Sequence, residues 1–305
     1  MAQQAKTLSD LIEALPWLDK FAESTQNTTN AIFGKNNATQ KVKDWLNGTP
    51  LMHRLHPALV AIPIGAWTTG LVLDLLETRA EKPAEWARSA DAAVALGLIG
   101  AVPSILTGLA DWTDTYDHQR RVGIAHSMVN GIALTFYGAS LGLRRADRRG
   151  YARLCSAVGF GVMTLGGMLG GELVYTLGVN VPHITYPKPP NEFVDLLASA
   201  DLKEDKPVVA EAGRVPVLLL RRGESVFAVQ NWCPHAGGPL NEGEFDGDKV
   251  SCPWHGAKFC LSDGRPLQGP AATPLRTFEV REEAGRILVR PTDSARSWPP
   301  APAPA

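Results

Sequence analysis

Residues 233–240 read Cys-Pro-His-Ala-Gly-Gly-Pro-Leu and residues 252–256 read Cys-Pro-Trp-His-Gly, so Cys233 and His235 are followed, after sixteen intervening residues, by Cys252 and His255. Two thiols and two imidazoles in paired short spacings make a metal-ligand set, because thiolate sulfur and neutral imidazole nitrogen are the donors that hold zinc and iron. The same four donors would satisfy one tetrahedral zinc ion. Against that reading, Pro directly follows each Cys, Gly follows the second His, and the order Cys, His, Cys, His differs from the zinc finger, which places both Cys before both His.

This arrangement resembles the Rieske family, over roughly residues 190–292. The resemblance implies a β domain in which two loops hold one [2Fe-2S] cluster, with Cys233 and Cys252 on the inner iron and His235 and His255 on the outer, more exposed iron. Gly269-Pro270, followed by Ala-Ala-Thr-Pro274, matches the proline-bearing loop that covers the cluster in that family. High-potential members carry an extra Cys in each loop, joined as a disulfide, and Ser and Tyr hydroxyls that donate to sulfur. Here the matching positions are Gly238, Trp254, Ala257 and Phe259. Without those donors less negative charge is stabilised on reduction, which predicts the low end of the range of about −150 to +300 mV for such centres. Rieske oxygenases need a further two-His, one-carboxylate iron site, and no histidine follows His255, so the chain is not read as a terminal oxygenase. Cys155 and Cys260 are read as packed thiols.

Around the motif the texture is that of a β domain. Apolar stretches at Val215–Leu220, Val226–Gln230, Thr277–Val280 and Arg286–Val289 are separated by turn signals such as Arg222-Gly223-Glu224 and Asp263-Gly264. The domain is assigned to residues 191–292, preceded by a Pro-rich linker at 181–190 and followed by a Pro- and Ala-rich tail at 293–305 that is expected to be disordered.

Upstream the composition changes. Pro57–Leu76, Ala92–Ala110, Val122–Leu143 and Leu154–Val179 are apolar runs of 19 to 26 residues, interrupted within only by Asp74, His126 and Glu172. About 20 residues span a hydrocarbon layer of about 30 Å, so residues 57–180 are read as four transmembrane helices. Pro63 and Pro103 are expected to kink the first two. Glycines 159, 161, 166, 167, 170 and 171 crowd the fourth, as where helices approach closely in lipid. Residues 1–56 lack the apolar core of a secretory signal and read as an amphipathic helix (Leu8, Leu11, Ile12, Leu15, Leu18), at the membrane surface or packed, followed by a polar stretch.

An even number of spans returns the chain to the side it left, side A. His53, His56, Asp111, Asp114, His118, His126, Glu172 and His183 all fall at or near it. Ionisable groups within a membrane are costly, so His126 and Glu172 mark function by default, although they are also read as helix glue, bonded to each other, Asn130 or neighbouring backbone. His56, Asp111, His126 and Glu172 form a candidate haem, metal or quinone site. The stretch His53-Arg-Leu-His-Pro57, followed by Ile62-Pro-Ile-Gly65, resembles an uncharacterised family of four-span bacterial membrane proteins, some joined to Rieske domains. Side B carries eight flanking Lys and Arg against five on side A, which places side B in the cytoplasm. The absence of an export signal and of the disulfide instead places the Rieske domain on the cytoplasmic side, the orientation adopted here.

The chain is therefore an α+β two-domain protein, an N-terminal four-helix transmembrane bundle followed by an all-β Rieske-type domain, expected in a bacterial inner membrane. Lys and Arg number 30 and Asp and Glu 31, so binding of nucleic acid by bulk basicity is excluded. The function that follows is one-electron transfer with a protein redox partner. Its alternatives are an intramembrane quinol or haem oxidoreductase at the histidines and a redox sensor.

Overall fold

Residues 8–33, 36–182, 184 and 188–292 are described by a computed structural model of the 305-residue chain. His183, Thr185–Pro187 of the linker and the tail at 293–305 lie outside the described residues. The chain divides into two units. One comprises Met1–Gln40 and Leu55–Val179, and the other Lys41–Arg54 and Asn180–Ala305.

The first unit is helical, with α1 (Leu8–Glu13), α2 (Trp17–Ile32) and the start of α3 (Asn37–Asn47), then α4 (His56–Leu59), α5 (Ala61–Glu77), α6 (Pro83–Trp112), α7 (Asp117–Arg145) and α8 (Arg149–Gly171), the last ending in a π turn at Glu172–Thr176. Among the described residues three helical stretches, His56–Glu77, Pro83–Trp112 and Arg149–Thr176, are long and apolar enough to cross a membrane. The fourth expected span falls on α7. It has the length, 29 residues, but carries Asp117, His118, Gln119, Arg120, Arg121, His126 and Asn130 and is not among the three. The chain stays helical through Pro103, where the Ser104 and Thr107 hydroxyls bond back to the carbonyls of Gly100 (2.9 Å) and Pro103 (2.8 Å).

The amphipathic start is two helices rather than one. The chain breaks at Leu15-Pro16, and Ile12 and Leu18 become buried, against Trp112 and Val122, while Leu11 and Leu15 stay exposed. The polar stretch that follows is itself helical. The Gln26 amide explains part of this, because it donates to the carbonyls of Trp112, Thr113 and Thr115 at 2.8–3.1 Å, groups left without helical partners where α6 ends.

At the bundle centre Trp67 of α5 and Tyr137 of α7 stack face to face, ring centroids 4.0 Å apart and planes 6° from parallel. Gly97 permits this, since a Cβ there would lie 2.1 Å from Trp67 Nε1. Two turns further along, all four long helices are tied by a charged network. Arg144 pairs with buried Asp74 and with Asp91 (2.8 Å), while Arg149 pairs with Glu77 (2.5 Å) and Asp91 (2.9 Å). Isolated charges could not be held there, so each arginine is matched by carboxylates.

Among the described residues the second unit holds ten strands in three antiparallel sheets. β1 (Val194–Ala198), β10 (Arg286–Pro291) and β9 (Phe278–Glu283) form one, and β2 (Val208–Ala212), β3 (Val215–Arg222) and β4 (Ser225–Gln230) the next. β5 (Glu244–Asp246), β6 (Lys249–Ser251), β7 (Lys258–Cys260) and β8 (Pro266–Gln268) form the third. Alternate residues of β3 point to two cores. Leu218 and Leu220 join Val229, Val250 and Phe259, whereas Val217 and Leu219 join Ala228, Phe278 and Ile287.

Candidate metal centre

Two loops carry the predicted ligands. One, Cys233–Gly238, follows β4, and the other, Cys252–Ala257, joins β6 to β7. They are built alike. The Cys233 N–H donates to the Gly238 carbonyl (2.9 Å) and the Gly237 N–H to the Cys233 carbonyl (2.8 Å). In the second loop the Cys252 N–H donates to Ala257 (2.8 Å) and the Gly256 N–H to Cys252 (3.0 Å). Both turns place a left-handed residue four positions after the Cys, which is why Gly237 (φ 80°) and Gly256 (φ 68°) stand there.

The loops bring the four predicted ligands together as two pairs. Cys233 and Cys252 are buried, 1% and 4% exposed, and their thiols are hydrogen-bonded to one another. When the thiols hold protons, Cys233 keeps its own, pushed up by the neighbouring Cys252 and by burial. Cys252 is lowered to about 6, first by the hydrogen bond from Cys233, then by the backbone N–H groups of Trp254 and His255. Backbone N–H groups of His235 and Ala236 act likewise on Cys233. The imidazoles of His235 and His255 form the second pair, ring centroids 4.9 Å apart and 87° between planes.

The donor set fits a two-iron cluster, one pair of soft anionic donors and one pair of neutral donors, each pair completing one iron. The space around it is closely lined. A Cβ on Gly238 would lie 2.9 Å from Cys252 Sγ and 3.1 Å from the Trp254 ring. Ala257 and Phe259 are fully buried, so these two positions present no hydroxyl to the sulfurs. Cys260 stands apart on β7, beside Ser262 (3.0 Å) and Asp248 (3.6 Å).

Sequence reasoning missed the segment that holds the proline loop. The Asp44 carboxylate accepts the Gly269 N–H (2.8 Å), and the Thr49 hydroxyl donates to the Ala271 carbonyl (3.1 Å). Asn47, fully buried, also closes on Gly269. These residues sit ahead of the first apolar run, where no motif marks them. Nearer the ligands, the Gln268 amide donates to the Gly256 carbonyl (3.2 Å).

In the helical unit, His56 Nδ1 donates to the Ser104 carbonyl and His126 Nδ1 to the Gly166 carbonyl, each at 2.9 Å. The Asn130 amide donates to the His126 carbonyl (2.9 Å). Asp111 is buried at the end of α6, and Glu172 is half-buried where the π turn begins. His118 lies 3.9 Å from Glu13. Among the described residues no three His, Cys, Asp or Glu side chains converge as a mononuclear metal site requires.

Comparison with known proteins agrees with this division. Residues 192–279 match the Rieske [2Fe-2S] domain and residues 52–183 the predicted membrane protein family DUF2231. The ferredoxin component of biphenyl 2,3-dioxygenase from Rhodococcus jostii is 39% identical over 31% of this chain and 88% of the relative. Ferredoxin CarAc of Metapseudomonas resinovorans is 36% identical over 27% and 76%. The 3-phenylpropionate/cinnamic acid dioxygenase ferredoxin subunit of Escherichia coli is 34% identical over 30% and 85%. The chain therefore belongs to the Rieske [2Fe-2S] family, with one such cluster as its cofactor, joined to a DUF2231 membrane protein domain.

Proposed function

We propose that the protein is a membrane-anchored one-electron carrier in which Cys233 and Cys252 ligate the inner iron and His235 and His255 the outer. The observation that carries this reading is the pair of matched loops, which set two buried thiols against two imidazoles. The cluster supplies a one-electron couple. The chain supplies its ligands, aims backbone N–H groups at both thiolates, and packs Ala257 and Phe259 where high-potential relatives place hydroxyls, which sets the midpoint low. Because the relatives are ferredoxin components of dioxygenases, the partner class is a protein reductase on one side and a protein acceptor on the other.

Four spans are proposed, with α7 as the third, in a bacterial inner membrane and in contact with its lipid. Three of the cations that lean towards a cytoplasmic side B, Arg144, Arg149 and Arg153, are paired with Asp74, Glu77 and Asp91 inside the bundle. That weakens the count and favours a cytoplasmic Rieske domain. Reduced protein in detergent should give a Rieske EPR signal with two irons and two sulfides per chain. A midpoint near +300 mV, or a single zinc, would overturn the reading.

A second reading, an intramembrane quinol or haem oxidoreductase at His56, Asp111, His126 and Glu172, draws on the matched hydrogen bonds of the two imidazoles. The redox sensor has no comparable support. Substituting either histidine separates the two, since a plain carrier would keep its electron-transfer rate.

A further inference from the structure

The helical unit contains an internal repeat that its contacts reveal. The interval between His56 and His126 recurs, to the residue, between Trp67 and Tyr137, between Gly70 and Ser140, and between Asp74 and Arg144. On the partner helices, the interval between Ser104 and Gly166 recurs between Ala90 and Ala152, Val94 and Ser156, Gly97 and Gly159, and Gly108 and Gly170. Matched residues make matched contacts. His56 Nδ1 bonds the Ser104 carbonyl and His126 Nδ1 the Gly166 carbonyl, both at 2.9 Å. The His56 ring lies against Gly108 and the His126 ring against Gly170, where a Cβ would come within 2.8 and 3.2 Å of Cε1. Trp67 lies on Gly97 and Tyr137 on Gly159 in the same way.

The hairpin of α4–α6 and the hairpin of α7–α8 are thus parallel repeats about one axis. Residues that are repeat mates meet on it. Trp67 stacks on Tyr137, and two turns beyond, Asp74 pairs with Arg144. His56 and His126 stand three turns from the stacked rings in the other direction, on the same helix face by the 3.6-residue period. By the same interval they make a third pair of repeat mates.

The hydrogen bonds decide what such a pair can hold. A nitrogen facing a carbonyl oxygen must carry the proton, so in each neutral ring Nδ1 is the donor and Nε2 keeps a bare lone pair. The Asn130 amide lies 3.4 Å from His126 Nε2, a long contact that a bond from Nε2 to a metal would displace. Two such lone pairs can ligate a Lewis acid or accept the hydroxyls of a quinol, while the Nε2 atoms offer no donor to a quinone carbonyl. A free metal ion would need further ligands beyond the two imidazoles. Haem iron brings four nitrogens of its own and takes two axial imidazoles.

Building on the reading of these histidines as a redox site, we propose that His56 and His126 are the axial ligands of one haem, held on the repeat axis through Nε2, with Ser104 and Gly166 orienting the rings. The haem is non-covalent, because the other two cysteines, Cys155 and Cys260, are not in a haem-attachment motif.

The test uses the full chain, produced with excess haem precursor and purified in detergent. One haem per chain by pyridine haemochrome, with low-spin optical and EPR spectra, is the expected result. H56G and H126G should each abolish the low-spin form while leaving the Rieske EPR signal intact, and added imidazole should restore it, whereas H118A should change nothing. Low-spin haem that survives in both glycine variants overturns the ligand assignment. A full [2Fe-2S] complement without haem overturns the proposal. Extractable bound quinone in that same preparation would leave the wider redox-site reading standing, and its absence would remove both.

Discussion

The Asp44 carboxylate accepts the Gly269 backbone N–H at 2.8 Å across 225 residues of sequence. A segment that precedes the first apolar helix is therefore part of the β unit, where Asp44, Asn47 and Thr49 hold the proline loop beside the cluster loops. Replacing Asp44 by Ala leaves a buried donor without its acceptor, at a cost of about 1–3 kcal/mol. Loss of visible absorbance in chelator should be several-fold faster in D44A and close to wild type in D44N, which keeps an acceptor oxygen. Equal rates in D44A and wild type would show that the loop does not depend on this contact.

Gly238 sits where a methyl group would lie 2.9 Å from Cys252 Sγ. G238A should fold but lose most of its iron, and iron analysis alongside circular dichroism measures both. Full occupancy with unchanged g-values would mean that the loop yields more readily than its packing implies.

If the imidazoles hold the outer iron, converting both His235 and His255 to Cys adds two negative charges to the cluster. Its midpoint should fall towards about −400 mV, the region of four-thiolate ferredoxins. A redox titration that finds the midpoint unmoved removes these two residues from the ligand set.

R144M leaves Asp74 buried with its main counter-charge gone, a loss of about 3–5 kcal/mol. Because the two are repeat mates facing one another, the exchange D74R with R144D should recover part of the lost thermal stability in detergent. Simple addition of the two single losses would show that the pair does not act as a unit.

Glu279 is held below the usual carboxylate range by Arg290, and Glu282 by Ser199 and then Arg221. With the folded values lowered, their small contribution is complete above the ordinary value of about 4.3 and fades as pH falls through the lowered ones. The melting temperature of the β unit, followed by circular dichroism, should be flat near neutrality and decline in acid. E279Q should flatten that decline, and a variant curve parallel to wild type would contradict the assignment.

The cluster motif and four of the ten described strands were legible because their signals are local. Strands β3, β4, β9 and β10 alternate or run apolar long enough to be seen, whereas β5 to β8 are three residues each, too short for any period to register. The polar stretch after Leu18 escaped for the opposite reason, since its helices rest on distant partners such as the Trp112 carbonyl that Gln26 caps.

The sequence by itself determined the two-part plan, the apolar helices and the Cys-Pro-His and Cys-Pro-Trp-His pairs, because hydropathy and ligand spacing are properties of neighbours along the chain. Only the tertiary structure decided that Asp44 serves the proline loop, that Arg144 answers Asp74, and that His56 and His126 are repeat mates. Those relationships depend on which helix faces pack together, and the hairpin repeats share too few residue types, Trp67 against Tyr137 and Asp74 against Arg144, for one copy to announce the other.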